Sequence, residues 1–155
     1  MVLLVVFALL TGYFYTQVDW EERAIRRQLS ELTVLVEKDG PTSTFDSVGR
    51  SRKLVSYFAE NPSIEFIPER RLPKDLNSIS GAFLSIWGEI DRASVLIRRH
   101  EVEIDEDRAE SSVTAKCSVF INGSDRVGEL VDYRISWIRF DGEWLIKSVV
   151  ALGSS

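Results

Sequence analysis

His100 is the single histidine of the 155-residue chain and Cys117 its single cysteine. With Tyr133 they are the side chains on which a reaction at neutral pH would draw. An unperturbed imidazole changes charge near pH 7 and is the natural general base. A tyrosine hydroxyl can donate to a developing oxyanion. A thiol becomes a nucleophile when a neighbouring positive group lowers its pKa. Ala115 and Val119, which share its strand face, give Cys117 no such group, so it reads as a small buried hydrophobe. One cysteine also rules out a disulfide framework or a cysteine-based zinc site. No cluster of His, Cys and carboxylates has metal-ligand spacing. No glycine-rich phosphate loop and no Ser-His-Asp arrangement is present. Neither a metal nor a cofactor is expected.

These residues are carried by four runs in which apolar and polar side chains alternate with a period of two: 97–105, 110–121, 129–140 and 143–152. Such runs read as strands. Asn122-Gly123 and Asp141-Gly142 lie between them, and both central residues of a type I′ hairpin need positive φ. Ser124 and Asp125 also have loop character, so the Asn122 connection is expected to exceed two residues. Successive side chains of a strand point to opposite faces. One face then collects His100, Val102, Ile104, Val113, Ala115, Cys117, Val119, Ile121, Val131, Tyr133, Ile135 and Trp137. Nearly every strand carboxylate falls on the other face. Asp91 and Glu89 lie on the polar side of a helix, so an inward carboxylate base is missing. His100 and Tyr133 are the weak catalytic candidates, and a structural His100 is the simpler reading. The opposite face carries Phe120, Leu130, Ile138, Phe140, Leu145 and Val149. Exposed together they would form an apolar patch of the kind that marks an interface, and a sheet-face homodimer is expected.

Upstream the period is helical. Ile25, Leu29, Leu32 and Val36 form one stripe, preceded by Asp19 and Glu22 at capping-box spacing. A second helix is expected from Asp46 to Glu60, with Val48, Leu54, Val55 and Phe58 on one side. A short strand, SIEFI, covers 63–67. A third helix runs from Asp75 to about Ala93, where Gly81 and Gly88 either weaken the helix, permit close packing or mark a break. Residues 1–15, MVLLVVFALLTGYFY, carry no charge, and the run nears the ~20 residues of a spanning helix only if it extends to Val18. A cleaved signal and a buried element are alternatives. The expectation is a membrane anchor over 1–18, with Tyr13, Phe14, Tyr15 and Trp20 at the interface, and a domain over 19–155 held as a single-pass protein on the extracytoplasmic side. A net charge of −5 argues against nucleic acid or anionic lipid surfaces as general partners.

This order of elements, from about Asp19 to Leu152, resembles the nuclear transport factor 2-like superfamily, which includes SnoaL-like cyclases and ketosteroid isomerases. The phrase Trp137, Asp141, Gly142, Trp144, Ile146 is similar to the last hairpin of many members. The resemblance implies an α+β cone: three helices packed on a curved four-stranded antiparallel sheet, here preceded by an apolar N-terminal helix. It also implies frequent dimers and a conical pocket. Phe58, Trp87, Cys117, Tyr133, Trp137 and Trp144 are the candidate pocket lining, although the same aromatics would serve to fill the cone. The functional expectation is a tethered, non-catalytic domain that binds a protein partner or a small apolar ligand in the cell envelope. The alternative is a SnoaL- or isomerase-like enzyme acting on an apolar small molecule.

Overall fold

The computed structural model describes residues 2–154, with side chains described except at 2–7, 9–12, 14–15, 17–18, 126–127 and 154. Met1 and Ser155, which close the two expected segments, and the side chains of Phe14 and Tyr15 lie outside the described residues. The elements are α1 (Val2–Val36), β1 (Lys38–Asp39), α2 (Thr44–Val55), β2 (Phe58–Glu65), α3 (Leu76–Glu89), β3 (Arg92–Asp105), β4 (Arg108–Ile121), β5 (Ser124–Phe140) and β6 (Glu143–Ser154).

Three helices pack on one curled, mixed sheet of six strands in the order β1-β3-β4-β5-β6-β2. The four expected antiparallel strands form its centre. Two further strands were not expected as members. β1 pairs with β3 through Lys38 and Asp39. β2, longer than the SIEFI run, adds to β6 in parallel, so the sheet is mixed rather than wholly antiparallel.

The N-terminal expectation is overturned. The apolar run is not a separate helix: it is the beginning of α1, which continues through Asp19 to Val36. Asp19 therefore lies inside a helix and caps nothing. No helix among the described residues is long and apolar enough to cross a membrane. Thr11, Gly12, Tyr13, Thr16 and Gln17 dilute the run before Asp19 and Glu21 end it, short of the ~20 apolar residues a span needs. The single-pass placement falls with it.

Local chemistry sets the other helix ends. Ser43 caps α2 by accepting from the Asp46 amide (3.1 Å). Asp75 caps α3 by accepting from the Ser78 amide (2.8 Å), and these bonds hold its carboxyl below the usual range. α2 stops at Val55, so Phe58 belongs to β2. At the C-terminus of α1, Arg50 donates to the carbonyls of Val34, Leu35 and Glu37. Lys38 does the same at the end of α3, reaching the carbonyls of Trp87 (2.8 Å) and Ile90 (2.6 Å). Cations there answer the negative end of the helix dipole.

The Asn122 turn is tighter than expected. Ile121 pairs with Ser124 and Phe120 with Asp125, so the Asn122-Gly123 loop has two residues, both at positive φ (50° and 78°). Asp141-Gly142 repeats the device at 52° and 81°.

Irregularities in the ladders decide which side chains face the helices. The β5–β6 pairing passes from Trp137↔Ile146 to Ser136↔Ser148, leaving Lys147 as an extra residue. A one-residue slip moves side chains to the other face. Trp144 and Ile146 face inward before it, and Val149 and Ala151 after it. Val149 therefore belongs to the core and not to the outer patch. A second bulge sets Cys117 against two residues of β5. A Cβ on Gly128 would lie 2.5 Å from the Cys117 carbonyl oxygen, so only glycine fits that approach. Cys117 itself is exposed, contrary to its expected burial.

Candidate functional site

The inner face of the sheet closes on Ile25 and Leu29 of α1, Leu54 of α2 and Ile79 of α3. Trp137, at 1 % exposure, is the largest fully buried side chain there. A buried indole needs a partner for its N–H. Trp137 Nε1 donates to Ser111 Oγ (2.9 Å), and that hydroxyl also meets His100 Nε2 (3.0 Å). Ser111 is fully buried and was not singled out in the sequence. Its parity with Val113 was the available signal, and a lone inward serine is easily read as filler.

This three-residue network occupies His100. Burial, and after it the nearby Arg26 guanidinium, push the imidazole down to about 4, while Glu22 opposes them. His100 is therefore neutral at pH 7. Its backbone carbonyl accepts from Arg26 Nη1 (2.6 Å), and Arg26 is itself paired with Glu22 (2.7 Å). α1 is thereby fixed to β3 directly over the network.

Tyr133 lies in the same cross-strand row. His100 pairs with Val113, and Val113 with Tyr133. Two strand spacings separate the two candidates, about 10 Å, so they share no proton, though one small molecule could span both. The Tyr133 hydroxyl is raised by burial and then by the neighbouring Cys117, and it donates to the Phe66 carbonyl (3.2 Å). Cys117 is exposed over part of its surface, yet the partial desolvation of its sulfur raises the thiol, away from the thiolate a nucleophile needs.

The six candidate lining residues divide. Phe58, Trp137 and Trp144 belong to the core cluster. Tyr133 is half-buried and packs against that cluster, while Cys117 is exposed. Trp87 is buried elsewhere, between the Lys38 ammonium (5.3 Å from the ring centroid) and the Arg50 guanidinium (5.4 Å), with its Nε1 donating to Thr42 Oγ1. It stacks on Phe83 at 5.3 Å.

Two clefts open outside the core. One, of about 570 Å³, lies between α1 and the last hairpin and is lined by Tyr13, Trp20, Arg139 and Trp144. Trp20 is 70 % exposed. Arg139 lies over the Trp144 ring and pairs with Glu21 and Asp107. The other, of about 620 Å³, lies beside Trp87. No group of three or more His, Cys, Asp or Glu side chains among the described residues is placed to hold a metal ion.

No protein-family profile matches the chain. No curated protein matches it either. Solved structures do. A proposed scytalone dehydratase from Novosphingobium aromaticivorans superposes with a TM-score of 0.69 at 14 % identity, over 89 % of each chain. A nuclear transport factor 2-like protein with a cystatin-like fold from the same organism gives 0.66 at 12 % identity, over 90 % of this chain and 87 % of that one. A proposed aromatic ring hydroxylase, also from that organism, gives 0.65 at 12 % identity, over 83 % and 85 %. The chain thus has the nuclear transport factor 2-like fold.

Proposed function

We propose that this is a non-catalytic binding domain on the nuclear transport factor 2-like cone, taking a protein partner or a small apolar ligand. One observation carries the reading. The only histidine of the inner face is neutral and hydrogen-bonded to Ser111, which also serves Trp137. A general base needs a free lone pair at its substrate, whereas this network specifies a packed interior. Tyr133, and Ile97 and Ala115 in the adjacent paired row, are only partly buried, which suits an apolar guest. Equilibrium dialysis against a panel of uncharged apolar compounds tests this. Uptake is expected, and Ala115→Trp should abolish it while leaving the circular dichroism spectrum unchanged.

The SnoaL- or isomerase-like alternative draws on the shared row of His100 and Tyr133 and on the dehydratase and hydroxylase names of two fold neighbours. Turnover of a panel compound that disappears in His100→Ala and Tyr133→Phe, with folding intact, would replace the binding reading by the enzyme. Homodimerisation through the outer sheet face is a further part of the proposal.

A further inference from the structure

The cleft beside Trp87 is built at the meeting of five elements. Lys38 comes from β1, Val48 from α2, Leu84 and Trp87 from α3, Arg92 from β3 and Phe120 from β4. Its volume of about 620 Å³ is that of a small-molecule site. The wall mixes Val48, Leu84 and Phe120 with the hydroxyls of Thr42, Thr44 and Ser47, and two cations stand on it. The Arg92 guanidinium lies over the Phe120 ring, 4.5 Å from its centroid. The Lys38 ammonium spends two of its three donors on the Trp87 and Ile90 carbonyls. Neither cation forms an ion pair with a described residue. The one carboxylate on the rim, Asp91, accepts from the Asn122 amide at 3.0 Å. Two cations therefore stand against one lining carboxylate, with Asp39 opposite Arg92 across the β1–β3 ladder and outside the lining, in a protein whose net charge is −5.

We infer that this cleft binds a small aromatic carboxylate, its ring against Val48 and Leu84 and its carboxylate between Arg92 and Lys38. A carboxylate matches the fork of a guanidinium, and charge-assisted hydrogen bonds are the strong ones. Arg92 already stacked on Phe120 loses little freedom when it engages an anion. An uncharged ring of the same shape would fill the same wall but leave both cations solvated.

The probe pair is 2-naphthoate and 2-naphthamide, which share a ring system and differ in charge. Each is titrated into ¹⁵N-labelled full chain, and amide shifts are followed. 2-Naphthoate should move the amides of Gly40, Thr42, Gly88 and Phe120, and bind about tenfold more tightly than the amide. Arg92→Gln should erase that tenfold preference. Gly88→Leu should weaken both probes, because Gly88 lines the cleft and its Cβ position is open. Gly88 is exposed on α3, so this variant keeps the fold and tests occupancy directly. Equal affinity for the two probes, shifts centred on Tyr133 and Ala115, or no shift at about 1 mM probe would each overturn the inference. Shifts at Tyr133 would leave the cone reading standing while removing this one.

Discussion

At the scale of single residues, the His100–Ser111–Trp137 network links stability to pH. The folded imidazole titrates at about 4, against about 6.5 in an unfolded chain. Between those values the unfolded state binds the extra proton, so folding stability falls as pH drops from about 6.5 toward 4 and levels off for this group below that. The contribution is up to about 2 kcal/mol, since partial solvent access at His100 reduces the full value of the shift. Urea midpoints at pH 7 and pH 4.5 check it: His100→Gln, which keeps a donor for Ser111, should lose less stability over that interval than the unaltered chain. The sequence made His100 visible as an inward-facing strand residue. It could not show Ser111 as its partner, because the contact depends on the β3–β4 register.

Elements are where sequence parity served best and where it broke. From Ala109 to Ala115 and from Tyr133 to Trp137 the alternation reports the true inner face. Past Lys147 it does not, because β6 takes in one extra residue there and composition gives no warning. Val149 is the casualty, while Cys117 keeps its face and loses only its expected burial. The Asp75 cap and the Asp141-Gly142 turn were legible because their chemistry is local. The Arg50 and Lys38 caps were not, since each reaches a helix distant in sequence. Two glycines separate by the same logic. Gly128→Ala drives a Cβ against the Cys117 carbonyl and should destabilise by about 1–3 kcal/mol. Gly81→Ala meets open space in an unbroken α3 and should stabilise by roughly 1 kcal/mol. Thermal unfolding of the pair should therefore shift in opposite directions, and equal shifts would contradict the bulge geometry.

The whole molecule presents an outer sheet face that the register sorts into bands. Leu96, Lys116 and Leu130 form one row near one end, and Arg108, Ile138 and Leu145 form one near the other. Between them lie Ser112, Thr114, Ser136 and Ser148 with the Glu110–Arg134 pair. A two-fold axis through such a face would set an apolar band on each side of a polar centre. Sedimentation equilibrium at micromolar concentration should give a dimer, and Leu145→Asp should shift it to monomer by placing a charge in one band. A monomer in the unaltered chain would dismiss the interface. The four-strand meander and the three helices were readable from periodicity, and the curl of the sheet only from the family resemblance. The closure of the sheet was not, because parallel pairing of β2 with β6 joins segments about eighty residues apart and leaves no local mark.

That closure governs how the chain is made. A ribosome releases β2 long before β6 exists, and the partner carbonyls and amides of Phe58–Glu65 arrive only with Glu143–Ser154. Non-local strand pairing of this kind postpones cooperative folding. Translation that stops short of Glu143 would therefore leave an unfilled sheet edge and a bare inner face, a nascent product that invites chaperones and proteases rather than a smaller working domain.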